Sequence, residues 1–182
     1  MINKAWLSTF IIALLLPLSA SASDSAAVLD AKVNDAIDNF KREVNGADVF
    51  LRQAAGYLVF PRVIKVGIGL GVETGEGALR VAGRSAAYYR TTSGSFGLQL
   101  GAQAKSIVIA FMTKESLAAF RNSSGWQVGV DGSVALIDIG AGKQINSKNI
   151  KDPVVGFIFG SKGLMYNLTL EGTKISRVQK DQ

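Results

Sequence analysis

The chain contains neither cysteine nor histidine. Ser-His-Asp and Cys-His nucleophile systems are therefore impossible, as are zinc sites built on either residue. No disulfide can form in any redox compartment. The phosphate-cradling pattern G-x-x-x-x-G-K-[ST] does not occur, and neither do G-x-S-x-G or S-x-x-K, so the P-loop and the common serine-nucleophile signatures are excluded. Asp131-Gly132-Ser133 lacks the acid spacing of a calcium loop. What remains is a chain of 182 residues, 48% hydrophobic and 19% charged, which suits one folded domain and argues against disorder. Twenty Lys and Arg against 14 Asp and Glu give a net charge of +6, a balance that favours an anionic partner without naming it.

The first residues read as an address. Lys4 precedes an apolar run from Ala5 to Leu18, and Ala20-Ser21-Ala22 supplies small residues where a signal peptidase cuts. Fourteen apolar residues reach only about 21 Å as a helix, short of a ~30 Å hydrocarbon core, and Pro17 breaks the run near its end. Residues 1–22 are thus expected to be a cleaved signal peptide, and 23–182 a single domain exported to the periplasm or cell envelope. Loss of Lys4 would leave 19 basic and 14 acidic groups, a net +5. No cysteine follows the cleavage site, so a lipoprotein anchor is not expected.

Two textures divide the remainder. Over residues 26–55, Leu29, Val33, Ile37, Phe40 and Val44 recur at three- and four-residue steps among charged residues, the period of an amphipathic helix. Gly46 interrupts it, and Asp48 could cap a short second helix that ends at Gly56. The polar face mixes acids with bases, so packing against a sheet is favoured over a membrane-surface role. Residues 57–178 are mainly β in texture: 18 of the 20 glycines lie beyond residue 66, among alternating apolar residues. Strands are expected at Tyr57–Phe60, Val66–Glu73, Gly77–Val81, Ala86–Thr91, Phe96–Ala102, Ser106–Met112, Trp126–Val130, Ser133–Gly140, Val154–Gly160 and Leu164–Glu171. Asp131-Gly132 reads as a type I′ hairpin turn, and residues 160–163 as a four-residue loop. Thr113 can cap a helix from Lys114 to Phe120. The expected class is α+β: N-terminal amphipathic helices packed on a Gly-rich antiparallel sheet curled into a sandwich or barrel.

The segment Val66-Gly67-Ile68-Gly69-Leu70-Gly71-Val72 resembles a nucleotide-binding loop, but its glycines alternate in phase with a strand instead of opening a helix. Gly67, Gly69 and Gly71 on one face would let another backbone or a ligand come close, or let the sheet bend sharply. Two carboxylate pairs, Glu73 with Glu76 and Asp131 with Asp138, are the residual enzymatic possibility, although turn acids of this kind are usually solvated. The basic residues are the better clue. Arg62 and Lys65 straddle an expected turn after Pro61; Arg80, Arg84 and Arg90 surround the next hairpin; Lys143, Lys148 and Lys151 populate a polar loop. Bases beside apolar side chains suit phospholipid head groups, each contributing ~1 kcal/mol near an anionic surface. For any one of them, ordinary solvated charge is the plainer explanation. No nucleic-acid recognition motif accompanies the charge.

Ala54-Ala55-Gly56-Tyr57-Leu58-Val59-Phe60-Pro61, followed by Val66 to Gly71, resembles the opening of the SYLF domain. The runs Gly94 to Gln103 and Trp126 to Ser133 resemble its centre, and Lys162 to Leu168 its closing hairpin. This resemblance implies lipid binding: eukaryotic members bind phosphoinositides, some fungal members also bind and bundle actin, and bacterial members are exported, often as lipoproteins. The missing cysteine departs from that last pattern, and without an SH3 or FYVE module the actin and endosomal roles are not carried over.

The resulting expectation is an exported, non-enzymatic protein that binds anionic phospholipid or a membrane surface, with no cofactor, metal or nucleic acid. Arg62, Lys65, Arg84 and Arg90 would meet head-group phosphates, and Gly67, Gly69 and Gly71 would provide close backbone approach. The rival is an envelope scaffold that self-associates, as a homo-oligomer, through its Gly-rich apolar sheet.

Overall fold

The computed structural model describes residues 24–138, 151–163, 170 and 172–181, with backbone alone at 68, 69, 95–100, 138 and 163. The expected signal peptide, Lys143, Lys148 and nearly all of the strand expected at Leu164–Glu171 lie outside the described residues.

Helix α1 (Ala26–Glu43) starts where the Ser25 hydroxyl accepts the Val28 N–H, and it carries Lys41 and Arg42 in its last turn, where the helix dipole favours cations. Helix α2 (Ala47–Gln53) is entered through Gly46 in the left-handed region (φ 82°), with Asp48 in its first turn instead of at the cap. Strand β1 (Gly56–Val81) and strand β2 (Arg84–Phe111) form one long antiparallel ribbon, turned at Ala82-Gly83, both with positive φ. Helix α3 (Lys114–Asn122) begins at the expected cap, the Thr113 hydroxyl accepting the Ser116 N–H at 3.1 Å. Short strands β3 (Trp126–Gln127) and β4 (Ala135–Asp138) precede β5 (Val154–Gly163) and β6 (Lys174–Val178).

The sheet order is β3-β6-β2-β5-β4, with β1 along β2. The class is the expected α+β, and the sheet curls into a half-barrel. It is mixed, since β4 runs parallel to β5 while the other pairs are antiparallel. One face receives the helices: Leu29, Val33, Ile37 and Phe40 of α1 and Phe50 of α2 pack on Val59, Val108, Val155, Phe157 and Phe159. Phe157 takes Phe40 at 4.9 Å and Phe50 at 5.1 Å between ring centroids. The other face holds Leu58, Phe60, Leu79, Tyr89, Ile107 and Ile109 against Phe111, Phe120 and Trp126. Each such side chain contributes about 1.5–3 kcal/mol by leaving water.

Three expected turns are built differently. Pro61 does not end a strand: Pro61 and Arg62 together lie opposite Ser106, a β-bulge that tolerates a residue without an N–H, and the Ser106 hydroxyl donates to the Pro61 carbonyl at 2.9 Å. Residues 160 and 161 likewise bulge opposite Lys105, with Gly160 at φ 61°, so β5 runs on to Gly163. Asp131-Gly132 turns no hairpin. The Asp131 carboxylate accepts the Gln127 N–H at 2.7 Å, and β3 and β4 part to opposite edges of the sheet. Glycine is needed at 132 for space, because a Cβ there would lie 2.8 Å from the Trp126 ring.

Candidate functional site

The ribbon bends back on itself at residues 68–70, where the register slips from Ile68↔Leu100 to Leu70↔Phe96. A Cβ on Gly67 would sit 2.2 Å from the Leu70 carbonyl oxygen and 2.5 Å from the Gly71 Cα. Further back, a Cβ on Gly75 would meet the Arg62 carbonyl at 2.6 Å, and one on Gly77 the Val59 carbonyl at 2.2 Å. The two halves of β1 thus pass backbone to backbone. Of the two uses expected for the glycine run, close approach of another backbone is the one seen at Gly67, where the chain itself, at Leu70 and Gly71, occupies the space beside it. Gly69 sits in the irregular step of the ladder between Gly67 and Gly71.

Inside the bend the ribbon is ionic. Lys65, Glu73, Gln103 and Lys105 are each at most 6% exposed, and Lys105 Nζ lies 3.0 Å from Glu73 Oε1. Neither atom has hydrogen-bond geometry to a partner, and Gln103 Oε1 is also buried without one. Lys65 therefore does not stand on a surface loop as expected; it shares the inward face with Val63 and pairs across the ladder with Gln103.

Outside the bend the ribbon is apolar. Ile64, Val66, Leu70 and Val72 are between 38% and 63% exposed. Two open grooves lie at the foot of this surface. The first, about 570 Å³, is lined by Lys32, Arg62, Ile64, Thr74, Glu76 and Arg90. The second, about 550 Å³, is lined by Glu43, Arg62, Lys105, Ser106 and Lys162. Arg62 belongs to both. In the first groove, Lys32 is paired with Asp24 at 2.8 Å and Arg90 with Glu76 at 2.6 Å. Burial alone would raise the Glu76 pKa, but hydrogen bonds from Lys180 and Arg90, with their charges, outweigh it and hold the carboxyl below its ordinary value. Among the described residues Arg62 and Lys162 make no ion pair.

The structure thus brings Arg62 and Arg90 to one groove, places Lys65 inside, and leaves Arg84 beside the Ala82-Gly83 turn, six residues of β2 from Arg90 and so ~20 Å away. Arg80 is a buried structural group: its guanidinium donates to Asn34 Oδ1 at 2.8 Å and to the Asp30 carbonyl at 3.3 Å, tying α1 to the ribbon. Of the two expected carboxylate pairs, Glu73 and Glu76 are split, Glu73 facing Lys105 and Glu76 facing Arg90 and Lys180, while the Asp138 side chain lies outside the described residues. Lys162 was missed because residues 160–163 read as a loop. Its register opposite Ala104, which itself faces Ile64, sets Lys162 on the apolar outer surface.

No described helix is long and apolar enough to cross a membrane. Fold and site together define an α+β domain whose curled sheet presents cations beside exposed apolar side chains. The chain belongs to the Ysc84 family, described as "Las17-binding protein actin regulator", which is the SYLF domain family; the match covers residues 92–182. No curated protein matches the chain.

Proposed function

We propose that this protein is a non-enzymatic membrane-binding domain that recognises anionic phospholipid head groups, exported after cleavage near Ala22. The observation that carries the reading is the position of Arg62 and Lys162. Two cations outside any described ion pair line one groove, with Ser106 between them and Ile64 alongside. Arg90 is a reserve cation, since a phosphate could replace the Glu76 carboxylate on its guanidinium. The net charge of +5 left after cleavage adds long-range attraction to an anionic surface.

Flotation with phosphatidylglycerol and with phosphatidylcholine vesicles at low salt tests the reading. Binding to the first alone, weakened by Arg62→Ala with Lys162→Ala, is expected at ~1 kcal/mol per base. Equal failure with both vesicle types would remove the membrane claim. The N-terminal sequence of the protein recovered from the cell envelope tests export: a start near Ser23 is expected, and a retained Met1 would refute it. The family's description supports a second reading, actin binding, whose readout is cosedimentation with filaments in the absence of lipid.

A further inference from the structure

We propose that the bend of the β1–β2 ribbon is a membrane wedge, which inserts Ile64, Val66, Leu70 and Val72 into the hydrocarbon edge of a single leaflet. The inference rests on the membrane reading above and adds which atoms leave water. Its basis is an inversion of polarity. A soluble ribbon hides its apolar face and wets its charges. Here Lys65 and Glu73 of β1 and Gln103 and Lys105 of β2 are enclosed, and the apolar side chains of β1 point outward. Alternation fixes this choice, because a strand sends successive side chains to opposite faces: Val63, Lys65 and Glu73 are in, while Ile64, Val66, Leu70 and Val72 are out. Enclosing the charges carries a desolvation cost that the Glu73–Lys105 pair only partly offsets. The arrangement makes sense if the outer face must be apolar.

The outer face is graded from tip to base. Leu70 and Val72, the latter level with the exposed Gly94, are nearest the bend; the exposed pair Thr74 and Thr92 follows; Arg90, paired with Glu76, comes next. On the other half, Val66 and Ile64 lead back to Arg62, and the ladder row Ile64–Ala104–Lys162 puts a lysine two strands, or ~10 Å, from the apolar stripe. Apolar tip, small and hydroxylated collar, cationic base: this is the order of acyl chain, interface and phosphate in an anionic monolayer. The length agrees. From residue 69, the apolar positions extend three residues on one limb and five on the other, ~10–17 Å at strand rise, which matches half of a ~30 Å hydrocarbon core and falls far short of a span. The cationic base complements an anionic lipid surface, whereas against a second copy of this net-basic chain the same base would face itself.

The absence of cysteine gives a clean test, since one introduced thiol carries one probe. Leu70→Cys and, at an exposed site near the opposite end of the ribbon, Ala86→Cys are labelled with an environment-sensitive fluorophore and mixed with phosphatidylglycerol–phosphatidylcholine vesicles carrying spin labels on their acyl chains. The probe at 70 should brighten and be quenched, and the probe at 86 should do neither. In parallel, Leu70→Asp should lower vesicle affinity by about ten- to a hundredfold, the worth of one large apolar side chain. Protein that floats with the vesicles while the probe at 70 stays unquenched overturns the wedge and leaves head-group binding standing. Protein that fails to float overturns both. A Leu70→Asp chain that floats normally but loses a dimer in sedimentation also overturns the wedge, and assigns the stripe to subunit contact.

Discussion

At the helix-covered end of the ribbon, Val59, Val108 and Ala110 are enclosed by α1 and α2, and Leu58, Leu79 and Ile109 by the aromatic cluster below. At the bend, the same two strands enclose Lys65, Glu73, Gln103 and Lys105 and leave Ile64, Val66, Leu70 and Val72 in the open. Strand alternation is unchanged between the two ends; what changes is which alternate positions are apolar. Buried apolar packing is therefore concentrated in one end, and the other end leaves its apolar surface in the open. The sharpest way to break this contrast is to truncate a large apolar side chain in each region. Phe157→Ala empties the site that holds Phe40 and Phe50 and should cost about 3–5 kcal/mol in denaturant unfolding. Leu70→Ser should stay within about 0.5 kcal/mol of the parent, because the side chain is already in water. A large stability loss at Leu70 would mean that the stripe is covered in the free protein.

The buried ion pair gives the next test. Lys105→Met strands the Glu73 carboxylate in the interior and should destabilise by about 3–5 kcal/mol, whereas Lys105→Met with Glu73→Leu should recover most of that loss or exceed the parent. If the double change is as damaging as the single one, the pair is holding the bend in shape beyond its own charge balance. A smaller effect is expected at the glycines. Gly77→Ala drives a methyl into the Val59 carbonyl and should cost about 1–3 kcal/mol, while Gly94→Ala, which meets nothing within 4 Å, should change stability by less than about 0.5 kcal/mol.

These contrasts also mark what could be read from the residues alone. The helix at 26–43, its buried stripe and the Thr113 cap follow from local chemistry: side-chain period and a hydroxyl three residues before its partner N–H. So did the idea that the glycine run serves close packing, because alternating glycines clear one face of a strand. The bulges at Pro61 and Gly160 look like turns in the sequence, since both residues interrupt regular structure and only pairing to a neighbouring strand shows the chain continuing past them. The inward direction of Lys65 has the same origin. A one-residue bulge at 61–62 resets the alternation, so the inward face downstream cannot be counted from Leu58 and Phe60. Lys162 joins Arg62 through a register of three strands that are distant in the chain, a relation invisible to any local pattern. The short strand β6 escaped because Ile175 alone among its five residues is fully enclosed.

The smallest expected effect separates the charged base of the wedge from its buried interior. Glu76 is only partly buried and accepts from Arg90 and Lys180, which hold its carboxyl below the ordinary value of 4.5. A carboxyl whose folded pKa is depressed contributes stability that is fully present above its unfolded pKa and fades as pH falls through the folded one. The melting temperature should therefore keep this contribution from neutral pH down to the ordinary glutamate range, then lose it on further acidification. Glu76→Gln should remove it at neutral pH and flatten that part of the acid limb. The size stays modest because Arg90 is half exposed and water screens the pair. Acidification in the same range should also release Arg90 from Glu76, so binding to phosphatidylglycerol vesicles should strengthen as the fold weakens. An acid limb unchanged by Glu76→Gln would move the source of acid sensitivity to another carboxyl, and vesicle binding that weakens in step with stability would take Arg90 out of the head-group contact.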